Sequence, residues 1–492
     1  MSPRTASHAG VMLRDHVDHP RGRGALARSP HAGAAGGAAC GDLIRVAVRL
    51  DGPVVAEAGF EARGCAAAVA AGSAAVELLR GAPLLDAARI TPAALAAELG
   101  GLSPAAGHAA ELAADALHRA LGMAARDGAA RLPHSPLRAL VAMSGGVDSA
   151  AAAQLALAGG DEVVAVTLEL WSDPATDGER SCCSPQAVTG ARALAHGMGI
   201  PHFTLDLRER FRATVVDEFL SGYAGGRTPN PCVGCNGAVR FDSMLALAGR
   251  LGAERLVTGH YARIGDDGNG PLVRAAADAG KDQSYVLARL RGDELERLRF
   301  PLGELEKPRV RELARAAGLA VADRPESQDL CFLAGGDTRS FMRRHAPRAL
   351  RSHGEIVDRE GTVLGRHEGH HAFTVGQRRR IGVAASEPLY VLGKDARRNR
   401  VIVGPRSELL TDTVALCPVE LHRPSSRVGA VRLRYHAPPV PCSAPAGLAA
   451  GTHARARLGL GRSVRAAAPG QTGCLMAGDL VVGWGTVADA RA

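Results

Sequence analysis

A short apolar run, Ala139-Leu140-Val141, breaks at Ala142-Met143-Ser144-Gly145-Gly146-Val147-Asp148-Ser149 and continues as an alanine-rich stretch. The order reads as a strand, a tight turn and a helix start. Two glycines let backbone approach an anion closely. The first amides of a helix lack intrahelical partners and carry the positive end of its dipole, so phosphate is the natural guest. A bare Gly-Gly would serve equally as an ordinary turn. The full Ser-Gly-Gly-Val-Asp-Ser string is more specific, and no Gly-Lys-Ser/Thr follows, so it is not a Walker loop. The second reactive set is thiols. Ten cysteines fall in tight pairs and singletons, among them Cys232-x-x-Cys235, Cys331 and the adjacent Cys182-Cys183. In so large a chain this indicates thiol or metal chemistry in a reducing cytoplasm, not a disulfide framework.

The elements that must position these groups follow from length and pattern. At 492 residues the chain is too long for one core, and about three domains are expected. With 46% apolar and 22% charged residues the composition is globular, and no apolar run is long enough to cross a bilayer. The N-terminus has no apolar core followed by a cleavage site, which argues against a secretory signal. Net charge is +9 and the pI about 9.3, which favours a polyanionic partner. The basic excess is almost all arginine: only Lys281, Lys307 and Lys394 are lysines, so each is less readily dismissed as surface filler. Aromatics make up 3%, which makes any exposed one a candidate for stacking.

Residues 137–345 alternate strand and helix signals: Asp161–Leu170, His202–Leu207 and Arg255–Tyr261 as strands, with Pro185–Met198, Arg208–Tyr223 and Asn236–Leu251 as helices. Such alternation predicts a doubly wound parallel sheet with ligands at the carboxyl ends of its strands. Three further strings accompany the opening loop. They are Thr228-Pro229-Asn230-Pro231-Cys232-Val233-Gly234-Cys235-Asn236, then Thr258-Gly259-His260-Tyr261 followed by Lys281-Asp282-Gln283-Ser284-Tyr285, and Ser327-Gln328-Asp329-Leu330-Cys331-Phe332. Together they resemble the tRNA-specific 2-thiouridylases, ATP pyrophosphatases of the PP-loop type, from residue 137 to the C-terminus.

The resemblance implies that Mg2+ and ATP bind at Ala142–Ser149, with Leu168 and Gly259 near the adenosine. It implies a persulfide on Cys331 and an attacking thiolate at Cys235, which form a disulfide in turnover. The tRNA anticodon arm would meet Asn230, Pro231, Cys232, His260, Lys281, Asp282, Gln283, Arg434, Tyr435 and Gln471. A cysteine desulfurase or sulfur-relay protein would supply sulfur. Cys235 lies just before the predicted helix, a place that lowers a thiol pKa. Cys232 stands where many relatives carry an acid, and Cys232, Cys235 and Cys331 would also suit a 4Fe–4S cluster with an open iron, so cluster-dependent thiolation is a second reading. Lys307-Pro308 reads as a helix start and structural cap.

Residues 1–130 precede this, with 131–136 as a linker. Arg45–Leu50 and Val54–Ala62 form a hairpin, and Cys65–Arg80 and Ala109–Leu121 read as helices. Ala39-Cys40-Gly41-Asp42, Gly64-Cys65-Ala66-Ala67-Ala68, His108 and Gly101-Leu102-Ser103-Pro104 resemble the U-type iron–sulfur cluster scaffolds. Cys40, Asp42, Cys65 and His108 match that family's ligands, but its third cysteine is Ala109 here. A site poor in thiolate holds a cluster weakly, so a docking or sulfur-receiving module is expected.

Residues 346–411 read as a small central domain of short strands, and 412–492 as a C-terminal β-barrel. His367, His370 and His371 lack the converging partners zinc needs and read as hydrogen-bonding loop residues. The whole is thus expected to be an α+β scaffold-like domain, an α/β PP-loop domain, a central domain and a β-barrel. Two other classes remain open: an iron–sulfur or sulfur carrier with a regulatory ATPase domain, and a different ATP pyrophosphatase such as an amidotransferase synthetase.

Overall fold

The computed structural model describes residues 8–36, 41–173, 184–325, 330–333, 336–346 and 352–489; Cys40, Cys182-Cys183 and Ser327-Gln328-Asp329 lie outside them. Five parallel strands lie in the spatial order Leu298–Arg299, Ala253–Thr258, Ser135–Ala142, Glu162–Glu169, His202–Asp206. The first of them in sequence, Ser135–Ala142, is central, and the order reverses there. A crevice opens at such a reversal, beside the carboxyl end of the strand. Val163 to Thr167 are all buried, as a parallel strand covered on both faces requires.

The N-terminal segment is a three-stranded antiparallel sheet, Ala32–Gly36, Leu43–Asp51 and Val54–Arg63, with Arg45 opposite Glu61. It packs on the Ala66–Leu79 and Gly107–Arg126 helices. The latter helix also lies on His202–Asp206, the edge strand of the parallel sheet, and runs parallel to it: His118 is beside His202, Gly122 meets Thr204, and Arg126 donates to the Asp206 carbonyl at 3.2 Å. A Cβ on Gly122 would stand 1.9 Å from the Thr204 carbonyl oxygen, so only glycine allows this approach. The His202 amide donates to the Ala88 carbonyl at 3.0 Å. An edge strand that could template foreign pairing is thereby covered.

The expected linker is likewise engaged, since Leu132 and Ser135 amides donate to the Arg250 and Gly252 carbonyls. One apolar cluster runs without a break from Ala35 through Phe203 and Phe332 to Val481. The N-terminal and parallel-sheet cores are therefore fused, while the barrel and the central sheet keep apolar clusters of their own.

The central sheet has the order Val363–His367, Gly354–Val357, Arg400–Gly404, Tyr390–Asp395. Its Lys394 ammonium donates to the Phe373 carbonyl at 3.0 Å and stands 5.6 Å from the Tyr223 ring centre; burial pushes its pKa down to about 8. Six of the last seven strands close on themselves: Leu410–Leu421, Ala456–Arg465, Val440–Ser443, Ala430–Arg432, Thr472–Ala477, Leu480–Val487, and back to Leu410–Leu421. Among the described residues no helix is long and apolar enough to cross a membrane.

Candidate active site

The Ser135–Ala142 strand delivers the opening loop to the crevice. Gly145 adopts φ +75°, a conformation that favours glycine. Gly146 caps the Val147–Ala158 helix and has no side chain to fill the first amides, which leaves them for an anion. Ser149 Oγ accepts from the Ser144 amide at 3.1 Å and donates to the Gly146 carbonyl at 2.9 Å, which fixes the turn. Ala150 is buried against Ala314, Leu319 and Ala322, an apolar setting in which a serine hydroxyl would find no reward. Gly259 is the second point of close approach: a Cβ there would lie 2.7 Å from the Asp148 carbonyl carbon. Leu168 is half-buried on the neighbouring strand.

Asp148 holds a contact that the sequence reading missed. Lys307 Nζ donates to both its carboxylate oxygens, at 2.7 and 2.8 Å, and the Tyr261 hydroxyl donates to one of them at 2.8 Å. Lys307 does open the Lys307–Ala316 helix as expected. Its side chain, however, is buried against the loop and not a basic face on the surface. The scarcity of lysine was the only signal in the sequence.

The thiol segment also differs from expectation. The helix begins at Pro231, with Asn230 Oδ1 accepting from the Cys232 and Val233 amides. Cys232 therefore occupies the first turn, and Cys235 lies a full turn inside, so the dipole argument applies to Cys232 and not to Cys235. Pro at the first helical position and Asn before it explain the earlier start. A π-helical turn, Asn236–Arg240, follows immediately, a distortion often found beside functional sites.

Cys235 is buried, while Cys232 and Cys331 are half-buried. Cys331 opens a short turn whose Phe332 packs on Phe219 at 5.1 Å between ring centres. Phe219 in turn lines a cleft with Asn230, Pro231, Val233 and Gly234. The ring on which Phe332 packs thus lines the same cleft as the Pro231–Gly234 turn.

The barrel closes the far wall of this cleft through Gly470, Thr472 and Trp484, and the Arg289 guanidinium lies 4.6 Å from the Trp484 ring centre. Neither Arg289 nor Trp484 was read from the sequence, although Trp484 is one of only two tryptophans. Tyr435 is exposed and has its ring centre 6.1 Å from that of Tyr285. Burial raises the Tyr435 pKa, with further contributions from Asp282 and Cys232. Arg434 is exposed beside it.

Other expected tRNA contacts turn out to be committed to the protein. Asp282 is buried and accepts from the Ala276 and Ser284 amides, the Ser284 hydroxyl and Arg432. Gln283 Oε1 accepts from the Tyr261 amide, and Gln471 Nε2 donates to the Thr228 carbonyl at 2.7 Å. His260 Nδ1 lies 2.8 Å from Thr258 Oγ1, and burial, then Arg240, pushes its pKa down to about 4. These four residues clamp the catalytic unit to the barrel or to itself, and Lys281 stands at the same loop.

Among the described residues, the only group of three or more ligating side chains with donor atoms within 4.8 Å of one another is Asp42, Cys65 and His108. Asp42 Oδ2 lies 2.9 Å from His108 Nε2 and accepts from the Cys65 thiol at 3.1 Å. These contacts hold the Asp42 carboxyl below its usual range and raise the His108 pKa, mainly through Asp42. Ala109, where the scaffolds carry their third thiolate, is fully buried. The donor set suits one ion better than a cluster, because soft sulfur ligands dominate iron–sulfur binding. Cys232, Cys235 and Cys331 do not reach single-ion spacing. His367, His370 and His371 make no such group either; the two ring nitrogens of His370 meet Asn399 Oδ1 and the Ala224 carbonyl.

Residues 137–335 match the tRNA methyl transferase HUP domain, residues 339–405 the tRNA methyl transferase PRC-barrel domain, and residues 9–127 the NifU-like N terminal domain. The bifunctional protein NifU/MnmA of Rubrobacter xylanophilus is 45% identical, over 97% of this chain and 98% of that protein. The tRNA-specific 2-thiouridylase MnmA of Geobacter metallireducens is 43% identical, over 71% of this chain and 96% of its own length. That of Rhodopseudomonas palustris is 49% identical, over 57% and 70%. The first relative matches over nearly the whole of both chains and the second over nearly all of its own length, so the chain belongs to the tRNA-specific 2-thiouridylase family, in the form fused to a NifU-like domain.

Proposed function

We propose that this protein is a tRNA-uridine 2-sulfurtransferase acting on the wobble uridine. A uracil carbonyl oxygen is a poor leaving group. ATP adenylates the C2 oxygen and releases pyrophosphate, which the Ser144–Ser149 loop holds; Asp148 is the carboxylate available to Mg2+. The terminal sulfur of a Cys331 persulfide then attacks C2 and AMP departs. The Cys235 thiolate cuts the remaining S–S bond, leaving 2-thiouridine and a Cys235–Cys331 disulfide, which an external thiol reductant reopens. What supports this reading is that Phe332, the neighbour of Cys331, packs on Phe219, and Phe219 lines a cleft together with Pro231, Val233 and Gly234 of the Cys235 segment and with residues of the barrel. Tyr435 and Arg434, exposed on the barrel, suit base stacking and phosphate contact.

The NifU-like unit serves as a docking or sulfur-receiving module, facing a cysteine desulfurase or sulfur-relay protein. Reduced thiols are required throughout, which fits a reducing cytoplasm. The persulfide route needs no iron. Anaerobically purified protein stripped to an iron-free, colourless state should retain tRNA-dependent pyrophosphate release and thiolation; activity that tracks bound iron would favour the cluster route.

A further inference from the structure

We infer that Lys307 is a ligand for the terminal phosphates of the bound nucleotide, held in reserve by Asp148 until they arrive. The inference rests on the ATP-dependent reading above and adds a residue to it.

Lys307 is 7% exposed, and its ammonium is parked on the loop carboxylate at 2.7 and 2.8 Å. Burying such a charge is costly unless a partner meets it, and Asp148 is that partner, itself held by Tyr261. The location is what a purely structural ion pair would not choose. Asp148 is the second residue of the Val147–Ala158 helix, whose first amides have no side-chain acceptor at the Gly146 cap. A carboxylate there is favoured by the helix dipole, but an ammonium beside that positive end is disfavoured unless further negative charge is expected.

A second cation from the same segment converges on the same loop, since Arg324 donates to the Gly145 carbonyl at 3.1 Å. Ala314, Leu319 and Ala322 pack on Val147 and Ala150, so the segment that carries both cations is fixed to the loop helix by apolar contact. Two cations thus reach the loop, Lys307 on the Asp148 carboxylate and Arg324 on the Gly145 carbonyl, while the Lys307 amide donates to Asp278 at 3.0 Å. Asp148 would hold Mg2+, and the Lys307 ammonium, three rotatable donors on a flexible stem, would then turn to the triphosphate. It returns to Asp148 when pyrophosphate leaves. A lysine suits this exchange because its three donors rotate about one point, whereas the arginine used nearly everywhere else in the chain is a rigid fork.

Equilibrium binding of Mg–ATP, Mg–pyrophosphate and AMP to the full-length protein tests the assignment. In Lys307→Met, affinity for Mg–ATP and Mg–pyrophosphate should fall about 10- to 100-fold, the worth of a charge-assisted hydrogen bond, while AMP affinity stays within about twofold. Lys307→Arg should recover part of the loss. Lys307→Met with Asp148→Asn removes both charges, leaves no unpaired buried ion, and should fold like the parent without regaining phosphate affinity. Equal weakening for all three ligands, or none for any, would overturn the assignment. Wild-type protein that binds none of them would instead overturn the ATP-dependent reading itself.

Discussion

At the residue scale, the chemistry turns on groups whose neighbours are remote in sequence. The loop string and the cysteine strings were legible because each is contiguous. The Lys307 contact was not, since it joins residues 159 positions apart. The same limit hid the commitments of Asp282 and Gln471, whose polar side chains look available until their acceptors and donors are seen. Gly259 gives a direct prediction. In Gly259→Ala the new methyl would meet Asp148 and Ser149 backbone at 2.7–2.9 Å. The KM for ATP should rise at least about tenfold and Tm should fall, because the first turn of the Val147–Ala158 helix must shift to admit the methyl. Steady-state kinetics with saturating tRNA would show it; an unchanged KM would mean that the loop does not form the nucleotide site in this shape.

At the element scale, periodicity and caps located the strands and helices from Glu162 to Thr258 to within a few residues. What they could not show was the start of the cysteine helix, where Asn230 and Pro231 set the boundary and the π-helical turn is invisible to a 3.6-residue pattern. Nor could they show that the Gly107–Arg126 helix has two packed faces. One of these faces buries His118 with His196 and His202 between the NifU-like unit and the sheet. Burial lowers all three pKa values, assisted by Arg192, so they are neutral in the folded protein.

The His202 ring meets Thr167, whose hydroxyl donates to the Met143 carbonyl at the base of the loop. A depressed histidine pKa means that the unfolded chain binds more protons than the folded one below the ordinary value of about 6.5. Stability should therefore be full above that pH and fall as pH drops below it, and Tm should decrease between pH 7.5 and 5.5. The decrease should be smaller in His196→Gln. Gly122→Val, which forces a side chain against Thr204, should cost about 1–3 kcal/mol in denaturant unfolding.

At the scale of the whole molecule, the NifU-like unit shares an apolar core with the parallel-sheet unit and is not a tethered passenger. Glu169 is 1% exposed, and Arg119 of the N-terminal unit is one of its two guanidinium partners, with Arg208 at 3.6 Å the other. Removing residues 1–130 would strip Arg119 from Glu169 and Asp115 from Arg192, and would uncover the His202–Asp206 edge. The truncated protein should melt at a markedly lower temperature and associate in size-exclusion chromatography, and Glu169→Gln should recover part of the Tm, since a buried carboxylate without its partner is the larger penalty.

The order of fold types along the chain was readable from motif order. The fusion of the N-terminal core with that of the parallel sheet was not, because the contacting faces are alanine- and leucine-rich stretches that look alike in any pairing. The central claim concerns the product. Nucleosides from tRNA of a thiolation-deficient host carrying this gene, analysed by mass spectrometry, should contain 2-thiouridine at the wobble position with the wild-type protein and none with Cys331→Ser or Cys235→Ser. Absence of 2-thiouridine with the wild-type protein, or its persistence in Cys331→Ser, would contradict the account.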